Sequence, residues 1–416
     1  MSLQGPILIV ADQPAGRLTQ AFNAAGAFPV IEASWPGAQT AAAEIQPAAI
    51  VVAEPSSAAD TESALALVRQ TAGAAPFIPV FVRVREDAAT ALPDALPISE
   101  DAPVERLIAR VTGALRLRAL HATVISRART LKAERNIVAE MPDGDPLNDA
   151  TVLLMGRGRH HPTLSIAVGE RMGVMGALSV NAGARCLGAR EIDGILIGDG
   201  LPNGSVEAFL TALTEDSRFR DLPVAMLGAG NTTQVLPNFV RAHDPMLLLE
   251  RAIPLIRLRA FETALKRLLQ SIECKGMLDP RTGLHHVEAF GHALSRAIED
   301  SSERGVELSL ARFWFEEEID QRASMDAARL ISRLVRNVDF ACRQDDGSIL
   351  FAFADTDLRA AHVAARRLAI VLKHTMLQPE RDQPNASPSV TLATLKPTDT
   401  MHTLLARVAP RPVAVA

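Results

Sequence analysis

Arg336 and Asp339, a cation and an acid three positions apart in this 416-residue chain, are residue types that could together hold a ligand, although such a spacing is common by chance. A guanidinium makes a bidentate contact to a phosphate or to the O6/N7 edge of guanine, and a carboxylate accepts from guanine N1–H and N2–H2. Arg343 stands four residues further on. The plainer reading is a surface ion pair at a helix end, worth under about 1 kcal/mol, with Arg343 an ordinary strand residue. A second chemistry, phosphoryl acceptance, would need an acid at a strand end. Asp199 follows the apolar run Gly194-Ile-Leu-Ile197 by two residues and is a weak candidate, as is Glu54 after Ala49-Ile-Val-Val-Ala53. Without metal ligands around it, Asp199 is expected to cap a turn with Asn203 and Gly204. His160-His161 and His285-His286 are read as solvent-exposed, and the acidic run Glu316-Glu-Glu-Ile-Asp320 as a solvated loop. No phosphate loop or complete dinucleotide fingerprint is present.

Composition bounds these readings. A hydrophobic fraction of 48% with 22% charged residues fits folded domains, and the length fits two to four of them. A net charge of −5 and 4% aromatics, none of them Tyr, disfavour sequence-general nucleic-acid binding. Cys186, Cys274 and Cys342 fit neither a disulfide framework nor a zinc knuckle, so a reducing cytoplasm is expected. No stretch reaches the roughly 18 apolar residues of a membrane span. Only five lysines occur, Lys132, Lys266, Lys275, Lys373 and Lys396.

The elements that must position these groups come in three blocks. Short β-branched runs at 6–12, 49–53 and 79–82 alternate with helix-length segments at 17–25, 61–71 and 104–115, which is the pattern of a doubly wound sheet. After the turn-rich Met141-Pro-Asp-Gly-Asp-Pro146 the order recurs, with runs at 152–155, 194–197 and 223–227. A helix is expected over 247–269, with a kink or break near Pro254, and its apolar face (Leu248, Ala252, Leu255, Leu258, Phe261, Leu265, Leu268) is expected to pair two chains, the plainer reading being that it packs on its own domain. The third block reads as α+β: helices at 287–301, 325–335 and 358–377, strands at 306–315 and 389–395, and a hairpin at 341–353. Domains are therefore expected at 1–137, 150–260 and 275–416.

Leu278-Asp-Pro-Arg-Thr-Gly-Leu284 through Phe290 resembles the "DxLTGLxNRxxF" opening of GGDEF domains, the diguanylate cyclase fold. Asp345-Asp-Gly-Ser-Ile349 stands where that family carries Gly-Gly-(Asp/Glu)-Glu-Phe, and Arg336-x-x-Asp339 has the spacing of the family's inhibitory site for cyclic di-GMP. The two repeated units look like CheY-type receiver domains. The order of domains is similar to the receiver–receiver–GGDEF response regulators of the PleD type, closest in character to their degenerate, PopA-like members.

Measured against that resemblance, the catalytic elements are missing. The family's first metal carboxylate falls on Trp314 and only Glu316 matches an acid. The glycine pair falls on Asp345 and Asp346, which would set carboxylates beside phosphates, and no Lys follows Lys396. The receivers fare no better. In the first, Asp12 keeps one acid of the metal pair, Ala53 stands at the acceptor position and Val84 at the hydroxyl position. In the second, these are Gly156-Arg157, Gly198 and Gly228, and Arg241 is the nearest match to the Lys.

The expectation is thus an α/β chain of two pseudo-receivers and an α+β degenerate GGDEF domain, with no catalytic residue, metal or cofactor. The ligand is expected to be cyclic di-GMP on Arg336, Asp339 and Arg343. The resemblance implies a cytoplasmic signalling adaptor, at a cell pole, that forms a homodimer and meets protein partners of a signalling or proteolysis pathway. A nucleotide-independent scaffold and a weak diguanylate cyclase are the alternatives.

Overall fold

The computed structural model describes residues 3–85, 92–228, 236–315, 321–375 and 388–409. Its first sheet contains β1 (Gln4–Val10), β2 (Phe28–Ala33), β3 (Ala49–Val52), β4 (Val80–Val84) and β5 (Leu96–Ser99), ordered β2-β1-β3-β4-β5 and parallel throughout. The second contains β6 (Thr151–Met155), β7 (Gly173–Ala177), β8 (Gly194–Ile197), β9 (Val224–Leu227) and β10 (Phe239–Ala242), ordered β10-β9-β8-β6-β7 and also parallel. Each half thus shows the 2-1-3-4-5 order of a doubly wound sheet. Helices α1 (Gly16–Ala24), α2 (Ala38–Ile45), α3 (Ala58–Ala72) and α4 (Val104–Arg135) belong to the first half, and α5 (His161–Gly169), α6 (Val180–Ala189), α7 (Asn203–Glu215) and α8 (Pro245–Glu273) to the second.

Two of these helices exceed their expected length. α4 runs 32 residues, well past 115, and α8 runs 29 residues with Pro254 inside it and no break in the helix. The expectation that the α8 face pairs two chains is corrected. Leu248, Ala252, Leu255 and Ile256 are at most 3% exposed, in a core they share with Phe81, Leu96 and Val111 of the first half. The chain covers this face itself, because burying each such side chain internally gains about 1.5–3 kcal/mol without the entropy cost of association.

By compactness the chain forms two units: 1–130 with 140–266, and 131–139 with 267–416. The two sheets therefore lie in one unit, cross-linked by arginines. Arg116 pairs with Asp221 at 3.0 Å and Arg257 with Asp94 at 3.0 Å. The Arg110 guanidinium donates to the carbonyls of Pro97, Pro237 and Phe239.

The second unit holds α9 (Val287–Arg304), β11 (Ser309–Phe315), α10 (Gln321–Leu334), β12 (Phe340–Arg343), β13 (Ile349–Phe353), α11 (Leu358–Thr375), β14 (Pro388–Thr394) and α12 (Met401–Arg407). Its sheet is antiparallel with order β12-β13-β11-β14, which is the ferredoxin-like βαββαβ arrangement. Alternation along β12 sends Ala341 to the core under α10 and α11, and Cys342 to the core under α9 and α12.

Candidate functional site

The Arg336–Asp339 segment is the turn that joins α10 to β12. The Asp339 amide donates to the Arg336 carbonyl at 3.0 Å, closing the turn, and the Ala354 amide at the end of β13 donates to Asp339 Oδ1 at 3.1 Å. Asp339 is 8% exposed. Burial pushes its carboxyl up from the ordinary value, opposed by the Ala354 amide and the charge of Arg336. Among the described residues, Asp339 Oδ2 and the exposed Arg336 guanidinium have no hydrogen-bond or ion-pair partner, so the two are not a surface salt bridge.

Arg343 is not brought to that turn. It ends β12, four residues beyond Asp339 and so roughly 13 Å along the strand, where its Nε donates to Ser324 Oγ of α10 at 2.8 Å. Alternation puts Arg343 on the same face as Asp339, but strand rise carries it to the opposite end. Its place is beside the hairpin tip, apart from the turn it was expected to flank.

At that tip the charges are satisfied internally. Asp346 Oδ1 accepts from the Ser348 amide at 2.9 Å and its hydroxyl at 2.6 Å, while Arg312 donates to Asp346 Oδ2 and to Ser348 Oγ. Burial raises the Asp346 carboxyl, but the Ser348 hydrogen bonds and the Arg312 charge outweigh it and hold the carboxyl below its ordinary value. Gly347 sits at φ +78°, the left-handed conformation that glycine adopts without strain, to turn the hairpin. Trp314 lies on β11, opposite Ser389 of β14. Glu316 and the acidic run 316–320 lie outside the described residues.

In the first unit each sheet has its own acidic corner. Asp12 Oδ2 accepts from Ser56 Oγ at 3.0 Å, and Glu54 pairs with Arg85 at 3.5 Å. Asp199 turns toward the loop after β6 and not toward Asn203, which begins α7. Its carboxylate accepts from the His160 amide at 3.4 Å and lies 3.2 Å from His160 Nδ1. A Cβ on Gly158 would fall 2.2 Å from the Asp199 carboxyl carbon, so the carboxylate packs flat on bare backbone. His160 is therefore part-buried against an acid. His285 too departs from the exposed reading, packing its ring 6.0 Å from that of Phe340. No group of three or more His, Cys, Asp or Glu among the described residues is placed to hold a metal ion, and none of their helices is long and apolar enough to cross a membrane.

Sequence reasoning missed the arginines between the sheets. Arg106 and Arg110 of α4 and Arg241 and Arg251 of the second half line one pocket of about 280 Å3. The i, i+4 spacing of the first two was visible, but not the approach of the others.

No family model matches the chain, and no curated protein matches it. Among solved structures it is similar to the GGDEF domain of DgcB from Caulobacter crescentus in complex with c-di-GMP, at 19% identity over 32% of this chain and 82% of that one, TM-score 0.29. It is similar to a sensory box/GGDEF family protein from Caulobacter crescentus CB15 at 24% identity, over 32% and 92%, TM-score 0.26. It is also similar to the FimX GGDEF domain from Pseudomonas aeruginosa at 17% identity, over 32% and 88%, TM-score 0.28.

Proposed function

We propose that the chain is a non-catalytic cyclic di-GMP effector of the response-regulator type, with two pseudo-receivers in its first unit and a degenerate GGDEF domain in its second. It binds the dinucleotide at the α10–β12 turn and acts as a signalling adaptor through protein contacts. The observation that carries this reading is the exposed Arg336 guanidinium, free of protein partners among the described residues, beside a carboxylate with one open oxygen. Arg336 supplies the phosphate or guanine contact, and Asp339, held by the Ala354 amide, presents Oδ2 to guanine N–H donors. Catalysis is not part of the proposal, because Asp346 is spent on Arg312 and Ser348 and Trp314 stands where a metal carboxylate is needed. Calorimetric titration of cyclic di-GMP into the folded full chain tests it. Saturable binding that Arg336→Ala abolishes is expected, and no heat at high protein concentration overturns it.

A second reading, a nucleotide-independent scaffold, draws on the same turn: the bond from Ala354 and the burial of Asp339 give that side chain a structural task whether or not a ligand binds. Retention of protein partners by Arg336→Ala, with no effect of added dinucleotide, would favour it.

A further inference from the structure

The pocket between the two sheets of the first unit gathers four guanidiniums. Arg106 and Arg110 come from the first two turns of α4, Arg241 from β10 and Arg251 from α8. Among the described residues, the single acid on its lining is Asp101, an exposed residue just before the start of α4. Arg110 is accounted for as a structural clamp, since three carbonyls take its donors. Arg251 donates to the carbonyls of Arg241 and Arg85 at 3.2 and 2.7 Å.

Arg106 is different. Its side chain is part-buried, its Nε is shut off from solvent, and no group among the described residues accepts from its guanidinium. It stands four residues from Arg110 on one helix face, a like-charge spacing that destabilises a helix. Desolvation, followed by the charge of Arg241, lowers its proton affinity, and desolvation with the charge of Arg106 brings Arg110 to about 9. A guanidinium withdrawn from water without an acceptor costs stability, and among the described residues Arg106 is in that position.

We propose that this pocket is an anion site for one or two phosphoryl groups, with Arg106 as the principal ligand and Arg241 beside it. At about 280 Å3 it lies just under the range of pockets that enclose a whole drug-sized molecule, which suits a diphosphate and leaves any attached nucleoside outside. The shared chemistry is the diphosphate, either free or as part of a nucleotide.

Inorganic pyrophosphate, titrated calorimetrically into the full chain, is expected to bind, and Arg106→Gln to weaken it about tenfold or more. Thermal melts in the absence of added anion give a second readout: Arg106→Gln should melt at or above the temperature of the parent chain, because it loses no hydrogen bond to the described residues and relieves repulsion with Arg110. GTP binding tighter than pyrophosphate assigns the site to a nucleotide diphosphate, and weaker binding assigns it to the free anion; either supports the site. Arg336→Ala should leave pyrophosphate affinity unchanged, which separates this site from the α10–β12 turn. Absence of pyrophosphate binding at millimolar concentration, or binding equally tight in Arg106→Gln and Arg241→Gln, overturns the proposal.

Discussion

The two ends of the β12–β13 hairpin handle charge in opposite ways. At the tip, Asp346 is bound by Arg312 and Ser348, so its charge is neutralised within the fold. At the base, Arg336 projects without a partner among the described residues, and among them Asp339 is bound on one oxygen only. A satisfied charge stabilises the hairpin and has little left to offer a ligand, whereas an open one contributes little to stability and is available for recognition. The same contrast holds in the first unit between Arg110, fully engaged by carbonyls, and Arg106.

The largest expected effect is on ligand affinity. Arg336→Ala should weaken cyclic di-GMP binding about 100-fold or more, and Asp346→Asn should leave it within about twofold. Equal losses in calorimetry would erase the distinction between the two ends. Next comes stability: Arg312→Ala strips partners from Asp346 and from buried Ser348 and should cost about 1–3 kcal/mol in urea unfolding, whereas Arg336→Ala should change it by less than about 0.5 kcal/mol.

A subtler test uses pH. The Asp346 carboxyl is held below its ordinary 3.8, so its stabilisation is complete above that value and is lost as pH falls through the lower folded value. Asp339 has the opposite sign: its folded value is raised, so a penalty on the fold builds as pH rises from 3.8 to that value, is complete above it, and disappears below 3.8. Asp346→Asn should therefore destabilise at pH 7 and Asp339→Asn should stabilise, each by under about 1 kcal/mol. Both differences should shrink toward zero in melts below pH 3.8. Midway along β12, burial pushes the Cys342 thiol up to about 12, so alkylation at pH 8 should reach it only after unfolding.

Much of the architecture was legible from residue pattern. The central strands β1, β3, β6, β8 and β9 are continuous apolar runs because both of their faces are covered. The strands that escaped notice, β2, β5, β7 and β10, all lie at sheet edges. There one side faces no neighbour, and sequences such as Phe28-Pro-Val-Ile-Glu-Ala and Gly173-Val-Met-Gly-Ala carry a diluted apolar signal. The length of α4 was missed because its later turns alternate arginine with apolar residues, and the assignment of the α8 face to a second chain failed because a helix sequence shows that a face is apolar but not what covers it.

By itself the sequence determined the two doubly wound halves, the βαββαβ order of the third block, and Arg336 and Asp339 as near neighbours at a helix end. All of these depend on local periodicity or on residues within a few positions of one another, where chain geometry leaves little choice. Tertiary structure alone decided that the two sheets share one core, that Arg343 sits at the far end of its strand from Asp339, and that Asp199 lies on Gly158. It alone gathered Arg106, Arg110, Arg241 and Arg251 around one pocket. Charges more than 100 positions apart meet only when packing brings their elements together, and no local pattern encodes that distance.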